Sequence, residues 1–190
     1  MEKILMHICC APCANRPIVS LREEGLEPVG FWYNPNIHPY TEYQARKHTL
    51  EEYSKEISMK LVIGGTYDLR PFVTAVAGDI DKRCGYCYRC RMEATARYAA
   101  ENGFSAFTTS LLISPYQDHE AICAIARKMG EQYGVKFLYR DFRPLFREGQ
   151  EFAREHGMYM QKYCGCIFSE EDRYLAAKRK KAARRQIEEK

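Results

Sequence analysis

The sequence contains no apolar run long enough to cross a membrane. A membrane-spanning helix needs roughly 18 to 20 consecutive apolar residues, whereas this chain of 190 residues is 28% charged and no stretch approaches that length. The first residues, Met1–His7, read as a strand and lack the longer apolar region of a signal peptide. We therefore expect a cytoplasmic protein with no membrane partner.

Internal repeats, low-complexity runs and interdomain linkers are also absent. A chain of this length is long enough for one well-formed core and marginal for two, so we predict one domain over residues 1–174. Residues 175–190 hold seven Lys or Arg and two Glu, although the formal net charge of the whole chain is only +4. We predict a basic C-terminal helical tail there, which either meets phosphates or is a solvated helix end.

Predicted strands alternate with predicted helices along the chain. The strands fall near residues 3–9, 28–33, 60–63, 104–113 and 135–139. The helices between them are predicted at 15–24, from a capping box at Thr41, at 83–103, at 118–134 and at 144–157, with a less regular stretch at 66–82. Strands separated by helices pair in parallel through right-handed crossovers. The expected fold class is a doubly wound, mostly parallel α/β sheet.

A glycine- or serine-rich phosphate loop is missing after the first predicted strand. Ligands of such sheets bind beyond the carboxyl ends of the strands. A nucleotide-binding protein would carry its phosphate loop at that place, but this chain has Cys9-Cys10-Ala11-Pro12-Cys13. The substitution favours a metal site over a triphosphate site.

Cysteine, in contrast, is abundant. The nine residues are an odd number in a chain without a secretion signal, which argues against a disulfide framework. Eight of them form three clusters: Cys9, Cys10 and Cys13; Cys84, Cys87 and Cys90; Cys164 and Cys166. Such clustering in a reducing compartment indicates metal ligation or redox chemistry.

The number of clustered thiols bears on the number of metal centres. Four thiolates satisfy either a four-iron cluster or a tetrahedral zinc ion, and their spacing does not separate the two. Seven or eight thiols exceed one centre, so we expect a second metal. Cys90, one helical turn after Cys87, is left out of the ligand set. Cys123 lies on the apolar side of a predicted helix and is expected to be a small buried hydrophobe.

Six segments, in order along nearly the whole domain, resemble one known family. They are His7–Cys13, Tyr33–Pro39, Arg83–Tyr88, Ser110–Tyr116, Asp141–Arg143 and Gln161–Ser169. The family is that of the epoxyqueuosine reductases that work without cobalamin. The resemblance implies a fold like the adenine-nucleotide alpha-hydrolases, which is Rossmann-like, a four-iron four-sulfur cluster and a neighbouring mononuclear metal, expected to be iron.

The same resemblance implies a reaction and its partners. The substrate would be epoxyqueuosine at the wobble position of tRNAs with GUN anticodons. The reaction would be a two-electron deoxygenation that gives queuosine, with electrons from a donor that the sequence does not identify. Predicted phosphate contacts are Lys162, Arg143, Arg147 and, in the tail, Lys178, Arg179, Lys180 and Lys181.

A hypothesis for the site divides the thiols between two centres. The iron–sulfur cluster is assigned Cys10, Cys84, Cys87 and Cys164, and the second metal is assigned Cys9, Cys13 and Cys166. The choice between Cys9 and Cys10, and between Cys164 and Cys166, stays open. The candidate proton donors are Tyr116, Asp118, Tyr163 and His38.

Three other functions fit parts of the pattern. A zinc-stabilised nucleic-acid-binding module would use the thiolates structurally, although adjacent Cys9 and Cys10 after a strand are unlike the paired spacing of zinc sites. A nucleotide-dependent tRNA thiolation enzyme would need the missing phosphate loop. An iron–sulfur electron-transfer or disulfide-reducing protein would need no RNA.

Overall fold

Five parallel strands form a single sheet in the computed structural model, which describes residues 2–176. The strands are β1 (Glu2–His7), β2 (Leu26–Trp32), β3 (Leu61–Ile63), β4 (Ala106–Thr109) and β5 (Lys136–Phe137). Their order across the sheet is β3-β2-β1-β4-β5, and every neighbouring pair is parallel. The doubly wound α/β class is confirmed, with the sheet in one domain.

Helices cover the two faces of this sheet. They are α1 (Ala11–Glu23), α2 (Tyr40–Glu56), α3 (Leu69–Val76), α4 (Arg83–Glu101), α5 (His119–Tyr133) and α6 (Phe146–Glu155), and residues 167–176 are also helical. Right-handed crossovers that run in opposite directions from β1 place their helices on opposite faces. Accordingly α1 packs against α2 and α6, whereas α4 packs against α3 and α5.

The strand order reverses between β1 and β4. From β1 the chain first moves to β2 and β3, and it then crosses back to β4 and β5 on the other side. The neighbouring ends of β1 and β4 therefore diverge into helices on opposite faces, which leaves a crevice beyond their carboxyl ends. His7 and Thr109 are paired in register at this switch point and are fully buried.

Helix α1 begins earlier than its sequence predicts. The expected start was Asn15, but the helix starts at Ala11, with Cys10 as an extended N-cap (φ −172°, ψ 158°). Pro12 is tolerated in the first turn because the backbone N–H groups there have no helical partner. As a consequence Cys13 lies inside the first turn of the helix and close to Cys10.

Three further predictions were wrong. The capping box at Thr41 does not form, because α2 starts at Tyr40 with Pro39 at the N-cap and Thr41 is already helical. Strand β4 ends at Thr109, and Ser110–Ile113 turn into a 3-10 helix that is capped when the Thr109 hydroxyl accepts from the amide of Leu111. The stretch at 66–82, expected to be irregular, contains α3.

The prediction for α5 is confirmed at both ends. The Asp118 carboxylate accepts a hydrogen bond from the amide of Ala121 at 3.0 Å, and Gly134 ends the helix in the left-handed region (φ 66°). Within residues 2–176 no helix combines the length and apolar character that a membrane crossing requires. From residue 177 onward, the predicted tail lies outside the described residues. This part includes Lys178, Arg179, Lys180 and Lys181.

Candidate metal centre and substrate cleft

Three thiols meet at the switch point of the sheet. Cys9 and Cys10 follow β1, and Cys13 comes from the first turn of α1. The three sulfur atoms lie within 4.8 Å of one another, and all three side chains are buried. We refer to Cys9, Cys10 and Cys13 as the switch-point thiols. In the part of the chain that the structure describes, they are the one group of three or more Cys, His, Asp or Glu side chains close enough to share a metal ion.

One switch-point thiol is prepared to carry a negative charge. Hydrogen bonds from the thiols of Cys10 and Cys13 hold the pKa of Cys9 well below its usual range, although burial opposes this. Burial raises the pKa of Cys10 well above its usual range. The Ser110 hydroxyl lies 3.6 Å from the Cys9 sulfur and accepts a hydrogen bond from the Cys9 amide at 3.2 Å. The group therefore offers one thiol that ionises more readily than usual and two that a bound metal would deprotonate.

A carboxamide also contacts the switch-point thiols. The Gln161 Nε2 donates to the sulfur atoms of Cys10 (3.1 Å) and Cys13 (3.3 Å), while its Oε1 is buried without a hydrogen-bond partner among the described residues. His7, the last residue of β1, contacts Thr109 Oγ1 through Nδ1 and the Tyr33 carbonyl through Nε2. Burial lowers the pKa of His7 to about 3, so its ring is neutral.

Four more thiols come from two other segments. Cys84 and Cys87 lie in the first turns of α4, and Cys164 and Cys166 lie in the segment before the helical residues 167–176. We call these four the flanking thiols. Cys87 and Cys166 are buried and belong to one apolar cluster, whereas Cys84 and Cys164 are exposed. Of the seven predicted ligands, the structure groups Cys9, Cys10 and Cys13 closely and places Cys87 with Cys166 in a separate cluster. That all seven serve metal centres, and how they divide between two, stays a prediction.

A buried arginine faces the flanking thiols without a carboxylate partner. Arg91, one turn after Cys87 on α4, is 1% exposed, and its Nη2 lies 3.0 Å from the Cys87 sulfur. Within residues 2–176 it forms no ion pair with Asp or Glu. Burial disfavours its charge, but the thiols of Cys87 and Cys164 outweigh that and raise the pKa of Arg91 above its usual range.

This arginine is the test of whether the thiols fit a metal centre. A buried, uncompensated charge costs several kcal/mol or more. Besides the Cys87 carbonyl, the ionisable groups that Arg91 faces are cysteine thiols, and its charge favours their thiolate form. Thiolates held together are ligands for iron–sulfur clusters, iron and zinc. The donor set therefore fits a thiolate-bound metal.

A second buried arginine holds the segment that carries Cys164. Arg46 on α2 donates from Nη1 and Nη2 to the carbonyls of Cys164 and Tyr163, both at 3.0 Å. Its charge is balanced by Glu42, whose carboxylate lies 2.6 Å from Nη2. Glu42 in turn accepts a hydrogen bond from the Tyr159 hydroxyl. The network ties the segment to α2 from inside the protein.

A cleft with a volume of about 1180 Å³ opens above the thiols. Cys9, Cys13 and Cys164 line it, so both groups of thiols reach the same space. Its walls carry basic residues and aromatic rings: Arg147, Arg154, Lys162, Arg173, Tyr116, Phe146 and Tyr163. Tyr116 is 86% exposed and its ring meets the edge of Phe146 at a centroid distance of 5.8 Å. The space is large enough for a nucleoside.

The four candidate proton donors occupy different places. Tyr116 and Tyr163 line the cleft. The Tyr163 hydroxyl donates to the His38 carbonyl at 2.6 Å, and burial raises its pKa above the usual range. The His38 ring packs against Tyr67 and Phe72, and burial lowers its pKa to about 4. Asp118 caps α5.

Three residues that were set apart on the sequence have simple environments. Cys123 is buried in the core, as expected. Cys90 is partly buried and its thiol points to the carbonyl of Cys87 at 3.4 Å. Arg143, a predicted phosphate contact, pairs with Asp141 at 2.7 Å, while Arg147 and Lys162 line the cleft.

Sequence reasoning did not single out the two buried arginines. Arg91 stands four residues after Cys87, a helical spacing that places both side chains on one face of α4. This spacing is a signal that the sequence contains. Nothing comparable marks Arg46, because the groups that it binds are backbone carbonyls more than a hundred residues away.

Fold and site together define a doubly wound α/β protein with a thiol site, able to hold a metal, in place of a phosphate loop. A family model described as epoxyqueuosine reductase QueH matches residues 4–172, and the chain belongs to that family. It is therefore an enzyme, an oxidoreductase that acts on epoxyqueuosine.

Individual relatives agree with the family match. The chain is 35% identical over 172 residues to "Epoxyqueuosine reductase QueH" of Dehalococcoides mccartyi, covering 90% of this chain and 94% of that one. It is 36% identical over 178 residues to the protein of the same name from Thermotoga maritima, covering 89% and 91%.

Among solved structures, the chain is similar to a predicted subunit of a tRNA methyltransferase from Methanocaldococcus jannaschii. The TM-score is 0.48 and the identity 14%, over 81% of this chain and 88% of the other. A score at that level adds no weight to the assignment of the fold, which rests on the strand order.

Proposed function

We propose that the protein reduces epoxyqueuosine to queuosine within tRNA, at the cleft that opens on the two groups of thiols. The observation that carries this proposal is a nucleoside-sized cleft lined by Cys9, Cys13 and Cys164, with the charge of Arg91 buried against the thiols of Cys87 and Cys164. The family supplies the reaction. An epoxide takes up two electrons and two protons, and it becomes an alkene with release of water.

The cofactors of this proposal are a four-iron four-sulfur cluster and a mononuclear iron. Cys10, Cys84, Cys87 and Cys164 would hold the cluster, and the remaining thiols Cys9, Cys13 and Cys166 would hold the iron. When bound, such a pair supplies electrons singly and stabilises negative charge on a departing oxygen. Contact of Cys10 with Cys9 (3.8 Å between sulfur atoms) supports two adjoining centres.

The chain's own side chains then have three tasks near these thiols. Arg91 compensates thiolate charge in a place that water does not reach, since it is fully buried. Gln161 fixes the rotamers of Cys10 and Cys13 through its Nε2. Arg46 holds Cys164 at the wall of the cleft.

The proposed substrate is the wobble nucleotide of a tRNA with a GUN anticodon, which would turn out of the anticodon stack into the cleft. Single-stranded RNA is bound by stacking of bases on aromatic rings and by basic side chains along the phosphates. Tyr116 and Phe146 offer the rings, and Arg147 and Lys162 offer the charges. These four residues surround one opening, which supports a nucleic-acid substrate over a small free metabolite.

Two of the four candidate proton donors are preferred in this proposal. Tyr116 and Tyr163 line the cleft and stay our candidates. The neutral His38 ring faces aromatic side chains, and the Asp118 carboxylate accepts from a helix amide. The roles of all four in proton transfer stay predictions.

The direct test is an anaerobic reaction of the iron-loaded protein with epoxyqueuosine-containing tRNA and dithionite. The expected result is a wobble nucleoside that has lost one oxygen atom, measured by mass spectrometry after digestion of the tRNA. Cys87→Ala should give no product, whereas Cys123→Ala, a buried cysteine away from the cleft, should react like the unchanged protein. Product from the Cys87→Ala protein at the normal rate would contradict the proposal.

A further inference from the structure

A second groove lies on the face of the sheet that α4 and α5 cover. Its volume is about 410 Å³, and it shares no lining residue with the substrate cleft. Four basic side chains, Lys82, Arg83, Arg89 and Lys128, surround an apolar floor that includes Val76, Ile125 and Met129. We refer to it as the basic groove.

The positive charge of the basic groove is only partly neutralised. Asp79 is its one acidic lining residue, and it pairs with Lys82 at 2.9 Å. Arg83 pairs with Asp172 at 2.6 Å. Arg89 and Lys128 are exposed and have no ion-pair partner within the range 2–176. Two positive charges therefore face solvent above an apolar floor.

The basic groove comes close to the flanking thiols through residues that do not line the cleft. Val76 lines the groove and packs in the same buried cluster as Cys87 and Cys166, so one layer of side chains separates its floor from these two thiols. Cys84, which is exposed, stands in sequence between Arg83 and Gly85, both of which line the groove. The thiols are thus approached from two separate surfaces.

This inference rests on the proposed reaction, which requires that electrons reach the metal centre while tRNA occupies the cleft. A tRNA in the cleft covers the surface at Cys9, Cys13 and Cys164, while two electrons have to reach the thiol-bound centre in each turnover. We propose that the basic groove is the docking surface for the electron donor, a small acidic one-electron carrier protein of the ferredoxin class. Each docking oxidises the carrier by one electron and reduces the centre by one. Two dockings and two protons convert one epoxide to an alkene and water.

The size and charge of the groove fit such a partner. Complexes between redox proteins are small and short-lived, and complementary charge sets their rate of association more than their affinity. A basic rim with two uncompensated charges steers an acidic partner, and the apolar floor supplies the contact at the centre.

The experiment compares two double charge reversals of equal net charge. Arg89→Glu with Lys128→Glu changes the groove; Lys60→Glu with Lys136→Glu changes exposed residues at the amino ends of β3 and β5, the edge of the sheet opposite the thiols. Reduction of the iron-loaded proteins is followed by the bleaching of visible absorption, once with reduced plant-type ferredoxin and once with dithionite. Ferredoxin binding is measured separately by calorimetry at low salt.

For the groove variant, we expect the second-order rate with ferredoxin to fall at least about tenfold at low salt and the difference to shrink as salt is added. Ferredoxin binding should weaken as well. The rate with dithionite should not change, and the control variant should stay within about twofold of the unchanged protein in every measurement.

Four results would overturn the inference. If ferredoxin reduces the groove variant as fast as the unchanged protein, the groove is not the docking surface. The same conclusion follows if the control variant loses as much of the ferredoxin rate as the groove variant. Weaker tRNA binding by the groove variant, with ferredoxin reduction intact, makes the groove part of the RNA surface. If dithionite bleaches none of the proteins, the redox centre itself is absent and the proposed function fails together with the docking surface.

Discussion

The switch-point thiols and the flanking thiols both contribute to the wall of the cleft, through Cys9, Cys13 and Cys164, but they are held by different means. The switch-point thiols sit on the end of the central strand and the first turn of α1, and all three are buried. The flanking thiols come from the start of α4 and from the segment that contains residues 163–166, and two of the four are exposed. The first group is positioned by the sheet, whereas the second depends on side-chain contacts.

Arg46 and Arg91 supply those contacts for the flanking thiols. Arg91 binds the carbonyl and sulfur of Cys87, and Arg46 binds the carbonyls of Tyr163 and Cys164. The comparison teaches that one half of the site is set by topology and the other half by two buried charges. Variants that change one half and leave the other intact test this directly.

The largest effect is expected from the thiols themselves. Cys87→Ala removes a predicted cluster ligand and leaves the buried charge of Arg91 without its nearest thiol. The acid-labile sulfide content should therefore fall from about four to below about one per chain. Cys123→Ala is the matched control, since it deletes a buried thiol outside the site. Sulfide analysis of anaerobically reconstituted protein gives the answer. Full sulfide content in the Cys87→Ala protein would refute the ligand assignment.

Loss of Arg46 should loosen one half of the site. Arg46→Met leaves Glu42 buried and unpaired and frees two carbonyls, so the free energy of unfolding should fall by about 3–5 kcal/mol in urea titrations. Lys47→Met on the same helix breaks a partly exposed pair with Glu51 and should cost under about 0.5 kcal/mol.

Hydrogen exchange locates that effect. In the Arg46→Met protein the amides of residues 163–166 should exchange faster, while the amides of β1 and residues 9–13 keep their protection. Equal loosening of both stretches would show that the two halves of the site are not held independently.

Tyr116 separates substrate binding from proton transfer. If its exposed ring stacks on a base, Tyr116→Ala should raise the KM for tRNA roughly 5- to 150-fold, because one stacked base is worth about 1–3 kcal/mol. Tyr116→Phe keeps the ring and should behave like the unchanged protein. A fall in kcat with Tyr116→Phe, at unchanged KM, would instead assign the hydroxyl to proton transfer.

The smallest effect is expected for a single contact with a tRNA phosphate. Arg147→Gln removes one charge from the wall of the cleft, so the slope of log affinity against log salt should become shallower by about 0.7 to 1. Arg143→Gln removes an arginine that already pairs with Asp141 and should change the slope less. Filter binding of tRNA across a series of salt concentrations measures both slopes. An identical slope for the Arg147→Gln and unchanged proteins would exclude Arg147 as a phosphate contact.

Much of the fold follows from local patterns, as the capped helix between Asp118 and Gly134 illustrates. Local patterns misplace element ends where a capping residue changes the backbone direction. Thr109 ends β4 because its hydroxyl caps the next turn, while the apolar residues beyond it continue a strand-like pattern. Likewise α1 begins at Ala11 because Cys10 is extended, although a proline follows.

In the site, the thiols were predictable because closely spaced cysteines are easily recognised in a sequence. The side chains that hold the thiols were not. Arg46 reads as an ordinary polar helix residue, and its burial depends on a carboxylate on its own helix and on carbonyls from residues 163 and 164. Gln161 likewise meets Cys10 and Cys13 across about 150 positions of sequence.

The most direct test of the central claim is the metal content of anaerobically purified protein, with absorption and electron paramagnetic resonance spectra of the same sample. The account predicts a brown protein with about four sulfides and about five irons per chain, one iron more than the cluster needs. A colourless protein that contains zinc, and stays colourless after anaerobic reconstitution with iron and sulfide, would contradict it and make the thiols a structural zinc site.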